Sequence, residues 1–320
     1  MQAIILNGPG SVEQLVTATL PVPLIKDDEV LVQVKAISIN PVDTKVRCHA
    51  SLFQVVLQLQ AEEHPIILGW DISGIVVETG PAVTGFKKGD EVFGMVNFPG
   101  HGKAYAAYVA APAAHLALKP SNITHEEAAA ATLAALTAWQ ALVTYAGTKA
   151  GDKVLIHAAA GGVGHYAIQI ARQLGAYVIG TSSAANRDFV LQLGAHEHID
   201  YREHRFEELV QGADLVVDSI AEDRHLERSL QAVKPGGTLV SLNVFFDKHL
   251  ALAVKAKTKR VFTHRMEVLS NGSDMQNIAR WLEQGRLRSH VAHRFPFGEM
   301  AAAHRQVESG STIGKVVLTL

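Results

Sequence analysis

Val154-Leu155-Ile156-His157-Ala158-Ala159-Ala160-Gly161-Gly162-Val163-Gly164 sets a hydrophobic strand directly before a glycine-rich turn, and Tyr166 to Leu174 follows it with helical periodicity. Strand, turn and helix in that order are the context a dinucleotide phosphate turn requires. Ala159, Gly161 and Gly164 take the three small-residue positions of the G-x-G-x-x-G spacing, with alanine in the first. Bare backbone at Gly161 admits a pyrophosphate, and Gly164 lets helix and strand pack closely. The N–H groups of the turn, Gly162 and Val163 among them, and of the helix N-terminus point at the anion. The same residues also make a plain strand-to-helix corner, so the strand that follows must arbitrate.

That next strand, from Tyr177, runs into Gly180-Thr181-Ser182-Ser183-Ala184-Ala185-Asn186-Arg187. A site for NAD ends its second strand on Asp or Glu, which holds the ribose hydroxyls. No acid stands there. Ser182, Ser183, Asn186 and Arg187 instead offer donors to a 2′-phosphate, and hydrogen bonds to a charged group contribute roughly 1.5–3 kcal/mol each. The expected cofactor is NADPH; the alternative for Arg187 is a solvated surface arginine.

Outward from this core, apolar β-branched runs alternate with helical stretches from Lys153 to Leu242, which indicates βαβ units and a parallel sheet. Before it, short β-rich runs broken by Gly, Pro and Asp (29–37, 71–78, 90–95 and 105–110) read as an antiparallel, barrel-like domain. Thr124-His125-Glu126-Glu127 has the form of a capping box opening an alanine-rich linking helix over 126–146. A helix at Met275 to Glu283 and a strand at Lys315 to Leu320 close the chain, and the tail is expected to return to the first domain.

Composition narrows the function. The chain has 320 residues, 48% of them hydrophobic, and 29 basic residues against 31 acidic ones. A net charge of -2 leaves no basic footprint for nucleic acid. One cysteine, Cys48, excludes an intrachain disulfide and a thiolate cage for zinc, and fits a reducing cytoplasm. The N-terminus lacks the basic region and long apolar core of a signal peptide, and no run of about 18 apolar residues suggests a membrane span.

With these pieces in hand, the sequence resembles the medium-chain dehydrogenase/reductase superfamily, in its zinc-free quinone oxidoreductase (zeta-crystallin-like) branch. The segments that carry the resemblance are Asn40 to Arg47, Leu68 to Gly74, Gly89 to Gly94, Leu136 to Leu142, the glycine turn and Gly314 to Val317. It implies an α/β fold with a GroES-like β-barrel substrate domain (1–124 and 267–320). A Rossmann domain with a doubly wound parallel sheet (125–266) interrupts it, with the active site in the cleft between them. It also implies reduction of quinones or α,β-unsaturated carbonyls by NADPH, and a homodimer joined through the Rossmann sheet edges.

The superfamily's zinc alcohol dehydrogenases hold catalytic zinc with a cysteine near the place of Asn40, a Gly-His-Glu and a further cysteine before the glycine turn. Here the second motif reads Gly69-Trp70-Asp71 and no cysteine lies between Asp71 and the turn. That disfavours a zinc alcohol dehydrogenase. The 16 histidines offer no substitute: His101, His115, His157 and His165 have no tight H-x-x-x-H spacing, so no metal is expected. Without zinc, conjugation spreads the charge that hydride delivery creates, as an enolate or a quinol, and a few hydrogen-bond donors suffice.

Among candidate catalytic residues, Asn40 can donate its amide to the substrate oxygen, with Asp43 beside it. The alternative is an Asn-Pro turn in which Asp43 caps the next helix. Lys45 is the nearest candidate proton donor, against a solvated lysine with water supplying the proton. By resemblance Thr137 faces the nicotinamide, the alternative being a threonine bonded within its helix. Likewise Tyr201 matches a position near the adenosine phosphate, and Ile220, Leu242 and Asn243 border the nicotinamide ribose. Ser51 to Gln60, with Phe98, Phe245 and Phe246, would wall the substrate pocket. A non-catalytic NADPH-binding protein, a redox sensor or structural protein, is the competing reading from another class.

Overall fold

The computed structural model describes residues 1–59, 64–243 and 250–320. Gln60, Phe245 and Phe246 of the expected substrate wall lie outside the described residues. The chain divides into two units, Met1–Leu136 with Val268–Leu320, and Thr137–Glu267.

In the first unit β1 (Gln2–Leu6) pairs with β2 (Leu15–Thr19), and β3 (Glu29–Ile39) leads a sheet with β4 (Asp71–Thr79), β5 (Glu91–Met95), β6 (Tyr108–Pro112) and β7 (Leu116–Leu118). The second unit contributes β8 (Lys153–Ile156), β9 (Tyr177–Ser182), β10 (Glu197–Asp200), β11 (Ala213–Asp218), β12 (Val233–Ser241) and β13 (Phe262–Arg265). The chain then returns to the first unit with β14 (Val291–Pro296) and β15 (Lys315–Thr319).

Strand β3 organises the first unit. Its first half pairs with β6 and its second half with β15, while β4 runs along its other side, all antiparallel. Pairing on both sides explains why nearly every residue of β3 is buried. The registers set Ser38 opposite Asp71 and Ile39 opposite Val316, so Asn40 and Lys315 follow at one corner. There α1 (Pro41–Cys48) begins, with Pro41 at its first position.

The alanine-rich stretch is not one long linking helix. It is α2 (His125–Ala130), opened by the Thr124/Glu127 capping box, then α3 (Leu133–Trp139), then a wider π-type turn over Gln140–Tyr145. The break has an identifiable cause: the N–H of Leu133 donates to Asp71 Oδ1 at 3.1 Å, and Thr132 Oγ1 turns back to Ala129 O at 2.7 Å. A carboxylate fixed on β4 thus satisfies an orphan donor at the start of a new helix. Because α2 packs on β3 and β4, residues 125–136 belong with the first unit.

The second unit is a six-stranded parallel sheet ordered β10-β9-β8-β11-β12-β13. The chain moves from β8 to β9 and β10 on one side, then crosses back to β11 and beyond on the other. The switch point therefore lies between β8 and β11, where open α/β sheets bind ligands at their carboxyl ends. Strand β8 is buried from Val154 to Ile156, with α4 (Gly164–Gln173) following its turn. No helix among the described residues is long and apolar enough to cross a membrane.

Candidate functional site

The glycine turn stands at that switch point. Its bend is closed by Gly161 N–H to Ala158 O at 2.9 Å, and Ala159 N–H ties it to Thr181 O on β9 at 2.9 Å. A Cβ on Gly164 would lie 2.2 Å from Ala158 O and 2.8 Å from Ala159 Cα, so α4 can start this close to the strand only with glycine there. Gly161, Gly162 and Val163 are half-buried at the mouth of the turn. His165 N–H already donates to Gly161 O, and Tyr166 and Ala167 N–H to Val163 O, so the cradle of a kind that fits a pyrophosphate is formed by the N–H groups of Gly162, Val163 and Gly164 ahead of them.

The residues expected around the adenosine end divide. Ser182 is 5% exposed, and its hydroxyl is occupied by His198 Nε2 at 2.8 Å and by Ser183 O at 3.2 Å, which removes it as a ready phosphate donor. Ser183 and Asn186 are half-buried on the short turn that follows. Arg187 is exposed and paired with Asp188 at 3.3 Å at the start of α5 (Arg187–Gln192). Tyr201 is exposed, with the Arg202 guanidinium 5.7 Å from its ring centroid. Both line a 370 Å³ cavity with Arg205 and Arg228. An acid does stand nearby, on the adjacent strand: Asp200 is level with Ser182, and its carboxylate accepts the N–H groups of Ala184 (3.1 Å) and Arg202 (3.0 Å).

On the other side of the switch point, Ile220 N–H donates to Asp218 Oδ1 at 2.9 Å, Leu242 N–H donates to Asp218 O at 2.9 Å, and Asn243 Nδ2 reaches Ser219 O at 2.5 Å. All follow the carboxyl ends of β11 and β12. Thr137 is 6% exposed in α3, at the first residue of the second unit.

Among the described residues His157, Asp218 and His225 also bring three possible ligand atoms within 4.8 Å of one another. They come from the ends of β8 and β11 and from α7 (Asp223–Ala232, with α6 at Phe206–Leu209 before it). No spacing along the chain could reveal this cluster. Burial holds His157 down to about 3, so its ring is neutral. Burial would raise Asp218, but the His225 hydrogen bond and the surrounding imidazoles and Ser229 keep it below the usual carboxylate range.

In the first unit Asn40 and Asp43 form a reciprocal cap on α1. Asn40 N–H donates to Asp43 Oδ2 at 2.8 Å, and Asp43 N–H to Asn40 O at 3.0 Å. Asn40, 2% exposed, also donates its side-chain amide to Asp71 Oδ2 at 2.7 Å and accepts Lys315 Nζ on Oδ1 at 2.5 Å. Asp71 further accepts Ser38 Oγ at 3.0 Å. Tyr105 donates to Asp43 Oδ1 at 2.9 Å and meets His304 Nε2 at 3.0 Å; His304 Nδ1 faces Arg47 Nη1 at 3.3 Å, and Arg47 pairs with Glu308. Gly69, at φ +86°, leaves room for the Tyr105 ring, which a Cβ would approach to 2.3 Å. Lys45 is exposed on the outer face of α1.

Burial dominates the electrostatics of this cluster. Loss of solvation, reinforced by the Asp71 charge, pushes Asp43 up to about 7, and loss of solvation also raises Asp71. Loss of solvation lowers Lys315 and, with Arg47 adding to it, holds His304 down to about 3. Lys315, Asp71, Tyr105 and His304 were not singled out from sequence; their only signal was the recurrence of Asp71 and Lys315 in the family-like segments. Leu57, Gln58 and Phe98 of the expected substrate wall line a 960 Å³ cavity with Ile67, His101 and Tyr108, and Phe98 packs edge-to-face on Trp70 at 5.0 Å.

Residues 26–121 match the alcohol dehydrogenase GroES-like domain family, and residues 193–318 match the zinc-binding dehydrogenase family. The chain is 34% identical to the 2-methylene-furan-3-one reductase of Solanum lycopersicum, over 97% of this chain and 76% of that one. It is 33% identical to the chloroplastic NADPH-dependent alkenal/one oxidoreductase of Arabidopsis thaliana, over 99% and 79%. The quinone oxidoreductase structure from Coxiella burnetii superposes with a TM-score of 0.91 at 33% identity, covering 100% of this chain and 99% of that one. With a GroES-like unit divided in sequence around a parallel-sheet Rossmann unit, the chain belongs to the medium-chain dehydrogenase/reductase superfamily, together with quinone oxidoreductases and alkenal/one reductases.

Proposed function

We propose that this protein is an NADPH-dependent oxidoreductase that reduces quinones or α,β-unsaturated carbonyls without catalytic zinc. The observation that carries the reading is the corner built by Asn40, Asp71 and Lys315, which stand 2.7 and 2.5 Å from one another through Asn40. The resemblance implies a cysteine near the place of Asn40 and a histidine at the place of Trp70 where catalytic zinc is held; here Asn40 and Asp71 are instead engaged with each other, and Asn40 with the buried Lys315 ammonium. Such a corner favours substrates whose conjugation carries the developing charge. The names of the tomato, Arabidopsis and Coxiella proteins point to the same substrate class.

NADPH supplies the hydride when bound. The turn from Ala159 through Gly161, Gly162 and Val163 to Gly164 would hold its pyrophosphate, with Ile220, Leu242, Asn243 and Thr137 toward the nicotinamide. Ser183, Asn186, Arg187 and Tyr201 are the proposed 2′-phosphate contacts, Arg202 joining them and Ser182 supporting the loop from beneath. Asn40 and Asp43 fix the start of α1, and water or Lys45 delivers the proton. We also propose the cytoplasm as a compartment suited to a chain with one cysteine, and a homodimer through the edge of the parallel sheet. There β13 leaves Phe262 63% exposed; a light-scattering mass near 34.4 kDa would contradict the dimer.

The test titrates the purified protein with NADPH and NADH, then adds 1,4-benzoquinone, 9,10-phenanthrenequinone, methyl vinyl ketone and a simple aldehyde, with and without a chelator. Chelator-insensitive oxidation of NADPH by quinone or enone is expected. Activity abolished by chelation, or tight cofactor binding with no turnover, would replace the proposal with a metal enzyme or a binding protein respectively.

A further inference from the structure

We propose that His157, Asp218 and His225, with Ser229, form a binding site for a divalent transition metal such as Zn²⁺ beneath the glycine turn. The donors converge from three elements. Asp218 Oδ2 lies 2.9 Å from His225 Nδ1 and 2.6 Å from Ser229 Oγ, and Ser229 Oγ lies 3.1 Å from His157 Nε2. In a tetrahedral zinc site with N and O ligands, donor atoms stand about 3.3 Å apart. The three contacts are shorter than those edges and the ligand atoms of His157, Asp218 and His225 all lie within 4.8 Å of one another, so modest side-chain shifts would admit the ion, and two imidazoles with one carboxylate are a common zinc ligand set.

The outer contacts are those that metal ligands need. His157 presents its other nitrogen, Nδ1, to Thr181 Oγ1 at 3.0 Å, which fixes the ring with Nε2 turned inward. Asp218 spends Oδ1 on the Ile220 N–H at 2.9 Å and keeps Oδ2 for the cluster. Without a metal, Asp218 Oδ2 accepts from Ser229 and His225, and Ser229 accepts from His157 Nε2–H. A cation replaces these contacts as each imidazole moves its proton to its other nitrogen, His157 then donating to Thr181. Neither imidazole loses its proton to solvent, and the Ser229 hydroxyl stays neutral.

Charge and access agree. Asp218 is 0% exposed, and its ion-pair partner among the described residues is His225, whose side chain is 12% exposed and opens the cluster outward. The nearby Arg228 guanidinium lies over Phe206 at 4.6 Å and is matched by Glu207, bonded to it at 2.8 Å. The Asp218 carboxylate is thus held by hydrogen bonds from Ile220, Ser229 and His225 with no Lys or Arg salt bridge to it among the described residues, and burial strengthens its attraction for a cation. Such an ion would bridge the ends of β8 and β11 to α7, groups that the hydrogen bonds already hold together without it, so reductase turnover does not require it.

Equilibrium dialysis of Co²⁺ and Zn²⁺ into chelator-washed, full-length Cys48→Ser protein tests this, without substrate or nucleotide. One Co²⁺ per chain is expected, with visible d–d absorption of a low-coordinate site that Zn²⁺ displaces. His225→Ala should weaken binding at least tenfold, and Thr181→Val, which removes only an outer contact, ten- to a hundredfold. His225→Cys should retain Co²⁺ and add a near-ultraviolet sulfur-to-metal charge-transfer band, a gain that misfolding cannot mimic. Absence of stoichiometric binding in the parent protein, or undiminished binding in His225→Ala with no new band in His225→Cys, overturns the proposal. Neither result bears on reductase activity, which is read separately.

Discussion

The side-chain amide of Asn40 donates to the carboxylate of Asp71 at 2.7 Å, across 31 positions of sequence, and both residues are buried. The contact follows from register: β3 and β4 set Ser38 beside Asp71, and Asn40 is the residue at which β3 gives way to α1. Lys315 enters the same corner from β15. Replacing it, Lys315→Met, leaves two buried acids without their cation and should cost about 3–5 kcal/mol. Asp43 and Asp71 can relieve that cost by taking up protons, so denaturant titrations should find the deficit largest near pH 8 and smaller toward pH 5.

Tyr105→Phe removes the donor to Asp43 and the acceptor for His304. Leaving buried groups unpaired should cost about 1–3 kcal/mol. The sign of its pH dependence is fixed by Asp43, whose carboxyl rises from an ordinary 3.8 to about 7 on folding. A raised carboxyl gives stability that is present at low pH and lost as pH climbs through that window. The Tyr105 bond holds Asp43 down, so its loss extends the window upward and the difference between variant and parent should grow from pH 6 to pH 8.

Acid destabilisation should carry the opposite sign at His304 and His157. Both rings have an ordinary value of 6.5 and fall to about 3 in the folded protein. Their contribution is complete above pH 6.5 and lost as pH falls toward 3, each with a slope of up to about 1.4 kcal/mol per pH unit. His304→Gln should flatten the acid limb of the stability curve by about one proton; an unchanged slope would show that His304 takes up no proton on unfolding.

At the phosphate turn, Gly164→Ala places a methyl group 2.2 Å from Ala158 O. The turn must open, so NADPH titration should show binding lost together with a lowered melting temperature. Arg187→Ala should weaken NADPH roughly ten- to a hundredfold while leaving NADH unchanged, the loss expected for one hydrogen bond to a charged phosphate. Equal weakening of both cofactors would remove Arg187 from the 2′-phosphate site.

Local pattern determined much of this protein. The run from Val154 to Gly164 carries its own strand, turn and helix signals, and alternating apolar segments imply a parallel sheet, because period and glycine placement are properties of neighbouring residues. The Thr124/Glu127 cap was equally legible. What local pattern missed depends on chain segments distant in sequence. The alanine-rich stretch breaks at Thr132 because Asp71, from β4, caps the helix that starts at Leu133. Ser182 looked available until His198 from the next strand engaged its hydroxyl. His157, Asp218 and His225 have no telling spacing, and Lys315 meets Asn40 across 275 positions. Period and turn chemistry are written residue by residue, whereas hydrogen bonds between buried side chains exist only once strand register has brought their partners within 3 Å, and register is a property of the folded sheet.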